Sequence, residues 1–268
     1  MAPQPPSPST VHPDRLVDAH NSGSFIQLQK GDAKVVPPLT ASVAVAVDGR
    51  PIAPVGLAAP DGSMNMGKQV MSPALLFSET AAEAPTPQSS LPAIDVVIPQ
   101  TKPLTDALWD KLDDVVNRID GGWGKVEKEA AEGHDGRKIL VAGLLPPPLT
   151  LNSSKLQNDA AYVTHMTRLT QLSLHSDVVL KALPPVIDTT VASEPWWEDE
   201  RELARVVKII PAAASAGTVS KEDGVIVPIS GEKWYALFRQ CVAELGEDKG
   251  AMTDIMAANA ERLYALTQ

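Results

Sequence analysis

Apolar residues recur every three to four positions at Leu104, Leu108, Leu112, Val115 and Ile119, the stripe of an amphipathic helix. Pro103 suits its first turn and Gly121-Gly122 its stop. Residues 153–183 run from a Ser153-Ser154 cap to Pro184-Pro185 without Gly or Pro, which predicts one long helix or two broken near Ser176. Over 195–210, Glu198, Asp199, Glu200 and Glu202 come early and Arg205 and Lys208 late, the charge order that a helix dipole favours. Ser230 caps a further helix whose stripe is Trp234, Leu237, Phe238, Cys241 and Leu245, ending at Gly246. Thr253 opens the last one, with Ile255, Met256, Leu263 and Leu266 as its apolar positions. Two short strands fit between helices, Lys138–Leu144 after the His134-Asp135-Gly136 turn and Val225–Ile229 after Asp223-Gly224.

Ahead of residue 100 the pattern changes. Ser42 to Val47 alternates small and β-branched residues and ends at Asp48-Gly49, a tight-turn pair. Ile52 to Leu57 is the candidate return strand, which Pro51 and Pro54 demote to an edge. Residues 1–13 and 80–92 are low-complexity tracts that read as linkers. The first hundred residues hold fifteen of the 24 prolines but only Phe25 and Phe77 among the aromatics, so the main core falls to the C-terminal portion. The expectation is an α+β fold in two parts. Residues 1–100 form a Pro-rich extended arm with a candidate short β-hairpin, and residues 101–268 form a helix-dominated globular domain with minor β.

Charge and length narrow the function classes. The 268 residues carry a formal charge of −10, which opposes binding to duplex nucleic acid, where phosphates need a basic surface. One cysteine excludes a disulfide framework and a multi-thiolate zinc site. The start, Met1-Ala2-Pro3-Gln4-Pro5-Pro6, lacks the basic residues and apolar run of a signal peptide, and no apolar stretch approaches the roughly 20 residues of a membrane span. An intracellular location, or membership of an assembled particle, is the expectation.

No motif names an activity. Gly62 to Lys68 matches a phosphate-binding loop up to its last position, where Gln69 replaces the magnesium-holding hydroxyl and Pro73 interrupts the required helix. It reads as a loop with one exposed lysine. His165 and His175 are separated by about 15 Å of helical rise, too far to share a metal. His134-Asp135 is turn chemistry without helix-borne histidine partners. Trp196-Trp197 before Glu198, Asp199 and Glu200 reads as an aromatic filler or interface ahead of a helix start, in preference to a sugar platform. Cys241 lies on an apolar stripe as a buried thiol, and there is no Gly-x-Ser-x-Gly elbow. The helices at 231–245 and 252–266 suggest helix-turn-helix, but Arg262 stands against Asp254 and Glu261, so a DNA groove would repel it.

These readings favour a non-enzymatic structural or interaction protein, a subunit of a virion, phage particle or other multi-chain complex. Its partners are other protein chains, with self-association expected, and no catalytic residue, metal or cofactor is assigned. Trp196, Trp197, Pro5 and Pro6 are the candidate interaction residues. The alternatives are an enzyme with a motif-less pocket near 144–148 and 196–197, and an adaptor whose Pro3-Gln4-Pro5-Pro6 is a ligand for peptide-recognition domains.

Overall fold

Six parallel strands lie side by side in the order in which the chain makes them. The structure, a computed structural model, describes residues 11–19, 39–47, 50–51, 68–77, 93–98, 104–123, 138–144, 151–181, 186–188, 198–209, 226–228 and 231–266. The strands are β1 (Leu16–Asp18), β2 (Leu39–Val47), β4 (Lys68–Leu76), β5 (Ala93–Val97), β6 (Lys138–Ala142) and β7 (Val178–Leu180). A seventh, β3 (Arg50–Pro51), pairs antiparallel with β2, Val47↔Arg50 and Ala46↔Pro51, whereas the candidate return strand Ile52–Leu57 lies outside the described residues. A separate ribbon pairs β8 (Val186–Asp188) with β9 (Ile226–Pro228). Helix and sheet are therefore mixed. The large sheet draws strands from both sides of residue 100, and β5 and β6 pair from Ala93↔Lys138 to Val97↔Ala142. That pairing gives the aromatic-poor early strands their burial from within the chain.

Helix α1 (Asp106–Trp123) joins β5 to β6, capped by Thr105, whose hydroxyl accepts from the Leu108 N–H. Its stripe residues Leu108, Leu112, Val115 and Ile119 are buried, as is Leu104 ahead of it, and the helix continues through Gly121 and Gly122. Between β6 and β7 lie α2 (Ser153–Leu156) and α3 (Ala160–Leu172), capped by Asn152 and Asp159. The predicted long helix at 153–183 is thus corrected. Helix α3 stops at Leu172, and Lys138 pairs with Asp177 to seat Val178–Leu180 as an edge strand beside β6. Helix α4 (Glu200–Ile209) falls where the charge order places it, followed by α5 (Gly231–Glu244). The final helix, α6, starts as Lys249–Thr253 under an Asp248 cap, passes through a π-helical turn, Asp254–Ala258, and ends as Asn259–Leu263. Its start precedes Thr253, and Met252, Ala257 and Tyr264 are the inward residues, whereas Ile255 is exposed.

Two local details follow from backbone chemistry. Pro73 sits where β4 changes neighbours, the last residue paired with β2 before Ala74 begins the pairing with β5, so its missing N–H falls at the seam. Gly143 has φ +94°, and a Cβ there would stand 2.3 Å from the Ile98 carbonyl oxygen, which only glycine avoids.

The strand alternation assigns the faces. Ile94, Val96, Ile98, Ile139 and Val141 enter the larger core with residues of α1, α3, α4 and α5. Ala93 and Leu140 point the other way, toward Val17, Ala41, Val43, Ala257 and Tyr264. No helix among the described residues is long and apolar enough to cross a membrane.

Candidate functional site

The chemistry-bearing residues that the fold gathers most tightly are Asp95, Lys181, Tyr264 and Ser72. Asp95 is the middle residue of β5, on the face opposite the larger core, and is 0% exposed. From β4, the Ser72 hydroxyl donates to Asp95 Oδ2 at 2.6 Å. The Tyr264 hydroxyl, just past α6, lies 3.0 Å from Oδ2 and 3.2 Å from Oδ1. Lys181, one residue beyond β7 and 7% exposed, forms an ion pair with Oδ1. Its Nζ also donates to the Ala19 carbonyl at 2.8 Å and stands 5.3 Å from the centre of the Tyr264 ring. Ala19 follows β1 and Lys181 follows β7, so one ammonium ties together the chain beyond both edges of the sheet.

The electrostatics are those of a closed knot. An ionised carboxylate and an ammonium buried together must satisfy each other and their remaining hydrogen-bonding capacity, because desolvation costs several kcal/mol per ion. Here both carboxylate oxygens accept from side chains of this chain. Burial, then the charge of Asp95 and its hydrogen bond, push the Tyr264 hydroxyl well above its usual 10. Tyr264 therefore stays protonated and acts as a donor. A general base needs a lone pair facing a substrate proton, and these lone pairs face Ser72, Tyr264 and Lys181.

A second feature lies between α1 and α3, an open groove of about 510 Å³ floored by Trp109, Leu112 and Leu172. Its polar rim is paired across the two helices. Arg168 holds Asp110 at 2.8 Å and Asp106 at 3.0 Å, and His175 Nε2 lies 2.9 Å from Asp113. The hydrogen bond to Asp106, with help from Asp110, raises the Arg168 guanidinium above its ordinary range. Nearby, His165 is 4% exposed, meets Trp109 edge-on at 5.7 Å, and leaves Nε2 without a hydrogen bond. Burial lowers its pKa to about 4, so it packs as a neutral ring.

The residues that the sequence singles out fall elsewhere. Trp196, Trp197, Pro5 and Pro6 lie outside the described residues, as do 145–148; Leu144 is buried. Of the phosphate-loop pattern, Lys68 and Gln69 are described, and they open strand β4, whereas a phosphate-binding loop runs into a helix. His165 is in the core and His175 at the groove, in keeping with their separation. Cys241 is buried, its thiol directed at the Ala204 carbonyl and raised in pKa by burial. Leu245, placed on the α5 stripe by spacing, is 76% exposed, and Phe238 is half-buried, stacked on Trp234. No cluster of three or more metal-ligating side chains occurs among the described residues. The Asp95 knot escaped sequence reasoning because Asp95 and Tyr264 are 169 residues apart. The available signal was an acid inside the apolar run Ala93 to Ile98. Searches of protein-family models, of curated proteins and of solved structures find no match to this chain.

Proposed function

We propose that this chain is a non-enzymatic structural or interaction protein that works as a subunit of a larger assembly, its partners being other protein chains and first of all copies of itself. The observation that supports the reading is the closure of the Asp95 knot. The grouping with catalytic residue types, a carboxylate, an ammonium, a phenol and a hydroxyl, has both carboxylate oxygens bonded by its own members, its ammonium also on the Ala19 carbonyl, and each of the four is buried. Strand order points the same way. Ligands of open parallel sheets sit where strand order reverses, and from β1 to β7 the described order runs in one direction, β3 aside. In this reading Trp196, Trp197, Pro5 and Pro6 supply contact surface, within a cell or inside an assembled particle.

Sedimentation velocity of the full chain over a wide concentration range tests this, together with a panel of chromogenic ester, phosphate and glycoside substrates. Concentration-dependent growth in mass without turnover is expected. A monomer at every concentration, with turnover abolished in Asp95→Asn, overturns it.

A further inference from the structure

Among the described residues, one lysine–carboxylate pair is kept from water. The side chains of Lys181 and Asp95 are 5% and 0% exposed. Lys138 with Asp177, Lys208 with Glu244 and Lys249 with Asp14 all have side chains at least 23% exposed, so water competes for both partners. The two oxygens of Asp95 are also held differently. Oδ1 meets the Lys181 ammonium, whereas Oδ2 accepts from Ser72 at 2.6 Å. The Tyr264 hydroxyl leans to Oδ2, at 3.0 Å against 3.2 Å to Oδ1, and its ring covers Nζ at 5.3 Å. An amine at one oxygen and two hydroxyl donors at the other is the layout that acyl transfer needs, with the donors placed where negative charge develops.

From this layout we propose that Lys181 Nζ condenses with the Asp95 carboxyl to form an isopeptide bond within the chain, promoted by Ser72 and Tyr264. Nζ, in contact with Oδ1, passes it one proton, a transfer favoured where no water solvates the two charges. The freed amine lone pair attacks Cγ, and Oδ2 takes up negative charge under the Ser72 and Tyr264 hydroxyls. A second proton moves from Nζ to Oδ1, the Cγ–Oδ1 bond breaks, Oδ1 departs as water, and Oδ2 returns to a carbonyl. The third proton of the ammonium stays on the amide nitrogen, beside the Ala19 carbonyl that lies 2.8 Å from Nζ. Ammonium and carboxylate thus give amide and one water, with no other reactant. Holding two groups in place is worth an effective concentration of about 10⁵–10⁸ M. The ion pair governs the newly folded chain, and the amide is its matured form. The bond closes β5, α1, β6, α3 and β7 into one covalent ring, a tie that a chain with a single cysteine cannot obtain as an internal disulfide. It goes beyond the assembly reading and does not depend on it.

The test uses the full chain, incubated folded, then denatured, digested with trypsin and sequenced by mass spectrometry. A branched peptide is expected, lighter by one water than its two parts, in which Asp95 is joined to a Lys181 that trypsin no longer cleaves. The branch decides, and not the intact mass, because Asp-Gly steps such as Asp48-Gly49 and Asp135-Gly136 lose the same water when they cyclise. Followed from the moment of cell-free synthesis, the branch is expected to form about 10²–10³-fold more slowly when Tyr264→Phe or Ser72→Ala removes one donor. Both variants keep Asp95 and Lys181, and circular dichroism checks that they fold; if either does not, the wild-type peptide still decides. Linear peptides alone from folded wild-type chain, or branching between Lys138 and Asp177 as readily as at Lys181, overturn the proposal. A wild-type rate in both folded variants overturns the roles of Ser72 and Tyr264.

Discussion

Under α1 and α3, Ile94, Val96, Ile139 and Val141 meet Leu108, Leu112 and Val115, with no ionised side chain in the cluster. On the opposite face of the same strands, Asp95 and Lys181 are buried beside Ala93, Leu140 and Tyr264. The first face is held by area and shape, which many aliphatic combinations satisfy. The second depends on five chain segments arriving together, those bearing Ala19, Ser72, Asp95, Lys181 and Tyr264. Slipping any one of them by a residue leaves a charge or hydroxyl unpaired in a dry environment. One face supplies cohesion and the other discriminates among ways of assembling the same strands.

The sharpest way to break this comparison is to remove one charge. Asp95→Ala leaves Lys181 buried without its counter-ion, and a loss of about 3–5 kcal/mol in urea unfolding is expected. Adding Lys181→Met in the same chain is expected to recover most of that loss, because the uncompensated ammonium is gone. A double variant as unstable as the single one would show that the apolar surroundings, and not the ion pair, are what Asp95→Ala disturbs. On the other face, Leu112→Ala is expected to cost about 2–5 kcal/mol by leaving a cavity. Leu112→Met, which conserves volume, is expected to cost less than about 1.5 kcal/mol. Equal losses for the two Leu112 variants would mean that this face is as exacting as its opposite.

His165 adds a pH dependence to the apolar face. Its folded pKa of about 4 lies below the ordinary 6.5, so between those values the unfolded chain binds the proton more readily. The stability it contributes is therefore fully present above pH 6.5 and is lost as pH falls toward 4, by on the order of 3 kcal/mol. Stability measured from pH 7 to pH 4 is expected to fall less steeply in His165→Phe. Identical slopes in the two proteins would show that the imidazole is within reach of water. The smallest effect belongs to the surface. Arg168→Ala, which removes the bridge to the exposed Asp106 and Asp110, is expected to cost under about 1 kcal/mol and to matter less at high salt. A larger loss would make the α1–α3 groove part of the core.

Legibility in the sequence follows the same division. The α1 stripe is readable because Leu104 to Ile119 repeats with the helical period and one side meets the sheet. Strand β6 is readable from the turn before it. Strands β4 and β5 are not, since a proline interrupts the one and an aspartate the other, and both exceptions are explained only by neighbours, the strand seam at Pro73 and the Lys181 partner at Asp95. The over-long helix at 153–183 has a similar cause. Val178 to Leu180 continues the apolar pattern, and what makes it a strand is β6 alongside. Leu245 keeps the period of α5 past the point where anything packs against it. Of the candidate site, only the oddity of Asp95 within its apolar run is local; its partners come from distant parts of the chain.

Met252 and Tyr264 both turn inward, although twelve residues at about 100° each would leave them about 120° apart around a regular α-helix. The π-helical turn at Asp254–Ala258 absorbs one residue more than an α turn does. Eleven steps then remain, and the angular mismatch shrinks to about 20°. The first half of α6 is thereby phased on Val11 and Val242, the second half on Asp95. A single surplus residue works as a vernier between two docking sites whose spacing does not fit the pitch of one uninterrupted helix.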